Sequence, residues 1–520
     1  MLHRKLLLLI IVTGLINAVG CATLPVNTGR TTAYAYTDTA ETTLGQSRKM
    51  EKLGNPGESG FILLSNGMNA FVTRTSLADM AEKSIDVQYY LLHNDLTGKL
   101  FIDRLLKAAD RGVRVRLLLD DMGLEDQDIG VGLIDSHPNI EVRIFNPFIR
   151  GTSRIFQLIT RLGTVTRRMH NKSFTIDNQI TILGGRNIGD EYFDVEPEMS
   201  FFDLDVLAIG PVVKNVSNSF DRYWNNDLAY PAMTLLKKHM TLEEATKKRQ
   251  VLSEFVDSQM DSPYLQSLKN SDFAKRLHEN QLDYHWGIAE VIFDQPEKIS
   301  QKRSKTELHL APKLKPYLEG IAGELILFSP YFVPGKWGTT FLTRLASQGV
   351  KVRVVTNSLS SNDVGIVHAG YAKYRKALLR GGVEIYEMNM KLTRQHRKNK
   401  KKLGSSSKAS LHAKSFVFDR NQMFIGSLNL DPRSIKENTE IGVIFTSSEI
   451  AANVGDRFDK TIDKMTFRLE LKKNINGTES ILWHGIEDGN PVTFNIDPYT
   501  SFWQRFVIRL LGILPIESQL

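Results

Sequence analysis

The sequence predicts an α/β protein of two duplicated domains, each a mixed β-sheet flanked by helices, packed by a pseudo-twofold around one active site. Three observations carry that expectation. At 520 residues the chain is too long for one ordinary core. A strand–helix–strand unit occurs twice. A motif of catalytic side-chain types lies later in each copy, with its histidine 17 residues ahead of an asparagine both times.

The first unit has an apolar strand from Ser84 to Tyr90, a helical pattern from about Gly98 to Arg111, and a strand from Val113 to Asp120. The second has Leu325 to Phe332, a helix to Gln348, and Val350 to Asn357. Gly112-Val-Arg-Val-Arg116 and Gly349-Val-Lys-Val-Arg353 are copies of one element. Apolar strands alternating with helices belong in sheets covered on both faces. Recurrence of the whole unit marks an internal duplication. These readings place the domains at residues 60–230 and 311–465. Residues 231–310 form a charged, helical insert or linker, and residues 466–520 a C-terminal segment.

The composition, 42% hydrophobic and 24% charged, is that of a globular protein. No internal run is apolar for long enough to span a bilayer. The N-terminus has Arg4 and Lys5, an apolar stretch from Leu6 to Val19, and small residues up to Cys21. That layout predicts a lipoprotein-type signal peptide over residues 1–21, with Cys21 as the lipidation site. Cys21 is the only cysteine, so no intrachain disulfide is possible. Residues 22–59, rich in Thr, Ala, Gly and Ser, are expected to be a tether. The resulting expectation is a membrane-associated, lipid-anchored bacterial envelope protein facing the periplasm.

A net charge of +8 favours phosphate-bearing partners, either lipid headgroups or nucleic acid, without choosing between them. Basic residues crowd between Lys391 and Lys402, ahead of a Gly-Ser-rich loop. That crowding fits either a solvated loop or attraction to anionic lipid. Near the C-terminus Phe502, Trp503, Phe506, Val507, Leu510, Ile513 and Leu514 recur at helical spacing around Arg505 and Arg509. They predict an amphipathic helix, interfacial or docked on the domain.

The chemistry lies in the two motifs. His170-Asn-Lys172-Ser-Phe-Thr-Ile-Asp177 and His412-Ala-Lys414-Ser-Phe-Val-Phe-Asp419 share the form H-x-K-x-x-x-x-D. Each runs through a polar turn into a second strand ending in Gly184-Gly-Arg-Asn187 or Gly426-Ser427-Leu-Asn429. Residues two apart on a strand face the same way, so each histidine projects with its lysine. A phosphodiester needs cations and amide donors on its free oxygens, together with an in-line nucleophile. Lys172 and Lys414 supply charge, and Asn187, Asn429 and Ser427 are candidate phosphate donors. One imidazole can attack phosphorus while a second protonates the leaving alcohol and later deprotonates the incoming one. Two facing hairpins would therefore make one site.

Asp177 and Asp419 belong to the motif and are carried with its catalytic set. Their distance from the histidines, about 23 Å along a straight strand, and their opposite parity point instead to fixing the turn. The carboxylates that orient the histidines are expected from elsewhere: Asp203 and Glu440, each opening an apolar strand, with Asp205 as rival to Asp203. No clustered His, Cys and carboxylate spacing suggests a metal, and no cofactor is expected.

The paired motifs resemble the signature of the phospholipase D superfamily, which works through a phosphohistidine. The stretches Arg168–Phe174, Gly184–Asp190, Asp205–Pro211, Thr356–Leu359, Val367–Tyr371, Asp431–Ser434 and Ser501–Trp503 resemble the bacterial cardiolipin synthase C group. The resemblance implies transfer of a phosphatidyl group between phospholipids, with phosphatidylglycerol as acceptor. It also implies His170 as nucleophile and His412 as general acid and base, although the residues themselves do not break that symmetry. His368 is singled out by the resemblance alone. The alternatives are phospholipase D hydrolysis to phosphatidic acid and, more remotely, a nuclease. Both motifs lie in one chain, so a monomer suffices, and the expected partners are phospholipids and the membrane surface, not nucleic acid.

Overall fold

The computed structural model describes residues 23–47, 54–124, 127–161, 163–195, 201–236, 240–362, 364–390 and 410–513. Cys21, the signal segment and the basic run Lys391–Lys402 lie outside the described residues.

Two large sheets carry the chain. The first contains β1 (Ser59–Leu64), β2 (Ser84–Tyr89), β3 (Arg114–Asp120), β4 (Ile140–Phe145), β5 (Ser173–Ile176), β6 (Ile180–Gly184) and β8 (Asp205–Ile209). The short β7 (Phe201–Phe202) stands apart from that sheet, which is completed by β9 (Ala229–Pro231) and β10 (His285–Gly287). The second sheet contains β11 (Ala289–Phe293), β12 (Glu324–Phe328), β13 (Lys351–Thr356), β14 (Glu384–Met388), β16 (Ser415–Phe418), β17 (Gln422–Gly426) and β18 (Ile441–Thr446). It continues through β19 (Thr466–Lys473), β20 (Glu479–Glu487) and β21 (Asn490–Phe494), while β15 (Ser410–Leu411) pairs with β7. The order β1-β8-β6-β5-β2-β3-β4 in one sheet recurs as β11-β18-β17-β16-β12-β13-β14 in the other. The duplication is therefore structural, strand for strand.

In each sheet the two strands of the repeated unit are parallel, with a crossover helix such as Leu96–Asp110 between them. The hairpins β5–β6 and β16–β17 lie antiparallel beside them. The inner strands are buried on both faces, which is why they read as apolar runs rather than alternating ones. Side chains from both sheets form a shared core that includes Leu183, Val206, Val417 and Ile425. Phe61 stacks on Phe445 with ring centroids 4.4 Å apart across that junction.

Three expectations change. The helices of the insert pack on the first core through Val256, Leu265, Leu268 and Leu277. Its end closes the first sheet with β10 and opens the second with β11, so residues 231–310 are shared between the halves. Residues 466–494 extend the second sheet. Residues 23–47 are no free tether: they run along the first half, with Arg116 and Arg143 donating to the carbonyls of Ala33 and Thr31 and Lys83 paired with Asp38. Arg116 is already paired with Asp86 and Asp221, and Arg143 with Glu141 and the Trp224 carbonyl, so the segment's carbonyls take up donors that those partners leave over.

Candidate active site

Each motif histidine stands just ahead of its hairpin, where the chain enters β5 or β16. Lys172 and Lys414 fold back so that each ammonium donates to the carbonyl of its own motif's histidine. Both lysines are buried.

The histidines are gripped crosswise by the opposite half. The His170 N–H donates to Thr439 O at 2.9 Å, and its Nδ1 lies 2.9 Å from Glu440 Oε2. The His412 N–H donates to Phe202 O at 2.8 Å, and its Nδ1 lies 2.6 Å from Asp203 Oδ2. One dipeptide from the other half thus holds both the backbone and the ring of each histidine. An ionised carboxylate only accepts, so each Nδ1 carries hydrogen, and Nε2 is the ring nitrogen that can act as nucleophile or gain and lose a proton. Asp205 pairs instead with Arg74 and Arg186, beneath the site.

The two clamps are built differently. Ser427 and Ser434 donate to the two oxygens of Glu440. Ser427 is therefore a support for Glu440 rather than a phosphate donor. Its counterpart in the first half, Gly185, packs against Asp203, where a Cβ would stand 2.2 Å from Asp203 Oδ1. Glycine is required for that approach. Tyr192 sets its ring edge against His412 at 5.2 Å, and Tyr90 does the same to His170 at 4.9 Å. Asn187 donates to the Tyr192 hydroxyl and accepts from Leu91 N–H, so one amide hydrogen expected on phosphate is committed to protein. Asn429 is buried, and its Oδ1 has no hydrogen-bond partner among the described residues.

Burial lowers the His170 pKa well below its ordinary value, helped by the charges of Lys172, Lys414 and His412. Both motifs therefore act on one another's groups. Burial also lowers His412, with Lys414, while Asp203 opposes the shift. Asp203 is held low: burial would raise it, but His412, Lys414 and Arg186 outweigh that. Burial pushes Glu440 up to about 7 against the pull of Lys172 and the two serines. Burial likewise brings Lys172 down to about 7, opposed by Glu440.

Asp177 and Asp419 lie at the far end of their hairpins and are corrected from the catalytic set. Asp177 accepts from the N–H groups of Glu82, Lys83 and Ser84, and Asp419 from those of Ala322, Gly323 and Glu324. Both sit in left-handed turns with φ of 50°, followed by Asn178 and Arg420 at similar φ, as a tight hairpin requires. His368 is buried in a separate network with Arg375 and Asp497.

Several contributors escaped the sequence reading. Asp120 accepts from Met169 N–H at 2.8 Å, and Asn357 Oδ1 from Leu411 N–H at 2.9 Å, each on the residue before a histidine. Their matched places at the ends of β3 and β13 were the available signal. Asp294, at the end of β11, accepts from Glu440 N–H. Among the described residues, His93, Asp95 and Glu191 form the one grouping with metal-ligand spacing. It is partly exposed, and Asp95 already caps Gly98 and accepts from Asp190 N–H.

The sequence profile of the family described as "Cardiolipin synthase, PLD-like domain" matches residues 75–224 and 321–462. Cardiolipin synthase C of Escherichia coli (strain K12) is 40% identical over 89% of this chain and 96% of its own length. An uncharacterized protein of Helicobacter pylori (strain ATCC 700392 / 26695) is 34% identical over 95% of this chain and 96% of its own. The crystal structure of phosphatidylserine synthase from Haemophilus influenzae Rd KW20 superposes with a TM-score of 0.54 at 13% identity, covering 82% of this chain and 92% of that one. That last likeness concerns the fold alone. With the family profile matched in both halves and a relative that similar along nearly its whole length, the chain belongs to the cardiolipin synthase, PLD-like domain family and is an enzyme of that phospholipase D type.

Proposed function

We propose that this enzyme moves a phosphatidyl group from one phospholipid onto phosphatidylglycerol, making cardiolipin, through a phosphohistidine on His170. The observation that carries this is the crosswise clamp: a carboxylate of the opposite half holds Nδ1 of each histidine, which assigns the chemistry to Nε2, and the two motifs lie close enough for His412 and Lys414 to act on His170. His170 Nε2 attacks phosphorus as the bond to the donor's headgroup oxygen breaks, and His412 gives that oxygen its proton. His412 then takes the proton of the acceptor hydroxyl, whose oxygen displaces His170. Lys172 and Lys414 neutralise the phosphate oxygens in a largely water-free site.

The unequal clamps support this order. His170, deeply lowered, is neutral and nucleophilic, whereas Asp203, strongly ionised, stabilises the imidazolium that His412 must become. The name of the Escherichia coli relative supports the product. Acylation of Cys21 would hold the enzyme on a membrane facing the periplasm. Among the described residues no helix is long and apolar enough to cross one.

Purified enzyme given phosphatidylglycerol, with and without phosphatidylethanolamine, tests the reading by mass spectrometry of the products. Cardiolipin is expected. Phosphatidic acid as the sole product would make the enzyme a hydrolase.

A further inference from the structure

Both halves present exposed apolar side chains at one end of the molecule, the end where the histidines open. In the first half, the helix Arg154–Thr160 lies between the C-terminal end of β4 and His170, and Ile155 and Ile159 are each 72% exposed. In the second half, the helix Gly335–Ser347 follows β12 and exposes Trp337 on its first turn. The C-terminal helix Phe502–Ile513 packs on the helix Gly365–Ala372, which follows β13. Ile508 faces Gly365, where a Cβ would stand 3.3 Å from it. The other side of the C-terminal helix leaves Trp503, Phe506 and Leu510 in solvent, with Arg509 exposed among them. Exposed apolar residues elsewhere, such as Leu242, Val251 and Ile475, are ordinary on a protein surface.

The N-terminal strap leaves from the same end. It begins beside Ala229, which pairs with Phe145 at the C-terminal end of β4, where Asn27 donates to the Ala229 carbonyl. It then runs toward Asp38 and Lys83, at the start of β2. Cys21 stands six residues before Asn27, a reach of about 20 Å at full extension.

From these placements we infer that the helices Arg154–Thr160 and Phe502–Ile513, with Trp337, form one surface that docks on a bilayer containing anionic phospholipid, with the histidine cleft facing the lipid. Apolar side chains flanked by arginine suit the headgroup boundary. These elements follow, or pack on a helix that follows, the C-terminal ends of β4, β12 and β13, the end at which the motif histidines enter β5 and β16. The substrate there would be a lipid, so the inference rests on the phosphatidyl-transfer reading. An anchor leaving from the same end holds that cleft against the bilayer.

The test uses the full chain with Cys21→Ser, so that acylation does not mask weaker contacts. Partition onto phosphatidylglycerol-containing vesicles is measured for it, for Ile155→Ser with Ile159→Ser, and for Trp503→Ser with Phe506→Ser. Thermal unfolding reports folding, and transfer is assayed on vesicles and on a short-chain, monomeric phosphatidylglycerol. Each pair is expected to weaken partition and vesicle turnover at least about 10-fold, leaving turnover of the monomeric lipid unchanged. Tryptophan quenching by brominated acyl chains reads the contact without disturbing the fold: part of it is lost in Trp503→Phe and a further part in Trp337→Phe. Unchanged partition, or no quenching, overturns the inference. Loss of self-association with partition unchanged also overturns it, by making the surface an interface between copies of the chain. If the parent transfers neither lipid yet its partition depends on both pairs, the docking surface stands and the transfer reading fails.

Discussion

His170 and Glu440 stand 2.9 Å apart although 270 residues separate them. His412 and Asp203, 209 residues apart, repeat the arrangement in the opposite sense at 2.6 Å. Each half of the duplication lends its carboxylate to the other half's histidine, so neither half contains an intact site. The shared core around Val206 and Ile425 is therefore part of the active-site architecture, because it sets the distance between ring and carboxylate.

Glu440→Gln and Asp203→Asn should each lower kcat by about 10²- to 10⁴-fold with little change in fold, since the ring loses its orientation and its tautomer. Steady-state kinetics with circular dichroism checks this. Near-normal kcat in either variant would show that the carboxylate is only structural.

The pH dependence follows from Glu440 and Lys172, both brought to about 7 by burial. Below that value Glu440 takes up a proton and no longer accepts from His170 Nδ1, so the nucleophile loses its tautomer. Above it Lys172 gives up its proton, and the anionic donor loses a cation. The expected kcat/KM profile is a narrow bell centred near 7, whose limbs belong to the interacting pair. Glu440→Gln should remove the acid limb. A flat profile from about pH 5 to 9 would contradict the assignment.

Asp177→Ala should destabilise the protein by about 2–4 kcal/mol, because three backbone N–H groups lose a charged acceptor. The folded fraction should keep its kcat. Chemical denaturation and active-site titration separate the two effects, and a kcat loss in fully folded enzyme would return Asp177 to the chemistry.

The duplication and the paired motifs were visible because each depends on local pattern: apolar strands, turn chemistry and the two-residue period that aligns His170 with Lys172. Strand parity also separated Asp177 from its own histidine. Asp203 and Glu440 could be picked as candidates, but their crossing could not, since it depends on how the two sheets pack. Ser427 was misjudged for a different reason: Glu440, 13 residues on and entering the neighbouring strand of the same sheet, claims its hydroxyl. Residues 23–47 looked like a tether because what holds them is their backbone carbonyls, which accept from arginines that only the fold buries.

Turnover should survive excess chelator, since Lys172 and Lys414 bring the charge that a phosphoryl site needs. Activity lost in chelator and restored by one divalent ion would contradict this, and His93, Asp95 and Glu191 would then be the first residues to replace.

The two histidines give the most direct test. An acid quench with a labelled phospholipid donor traps any covalent phosphatidyl-enzyme. His412→Ala should retain label, above all with a donor whose leaving group needs little protonation, whereas His170→Ala should retain none. Turnover should collapse in both, and the double variant should be scarcely worse than either, because the residues act as one unit. Label on His170→Ala and none on His412→Ala would reverse the roles, and substantial turnover by either single variant would contradict a shared site.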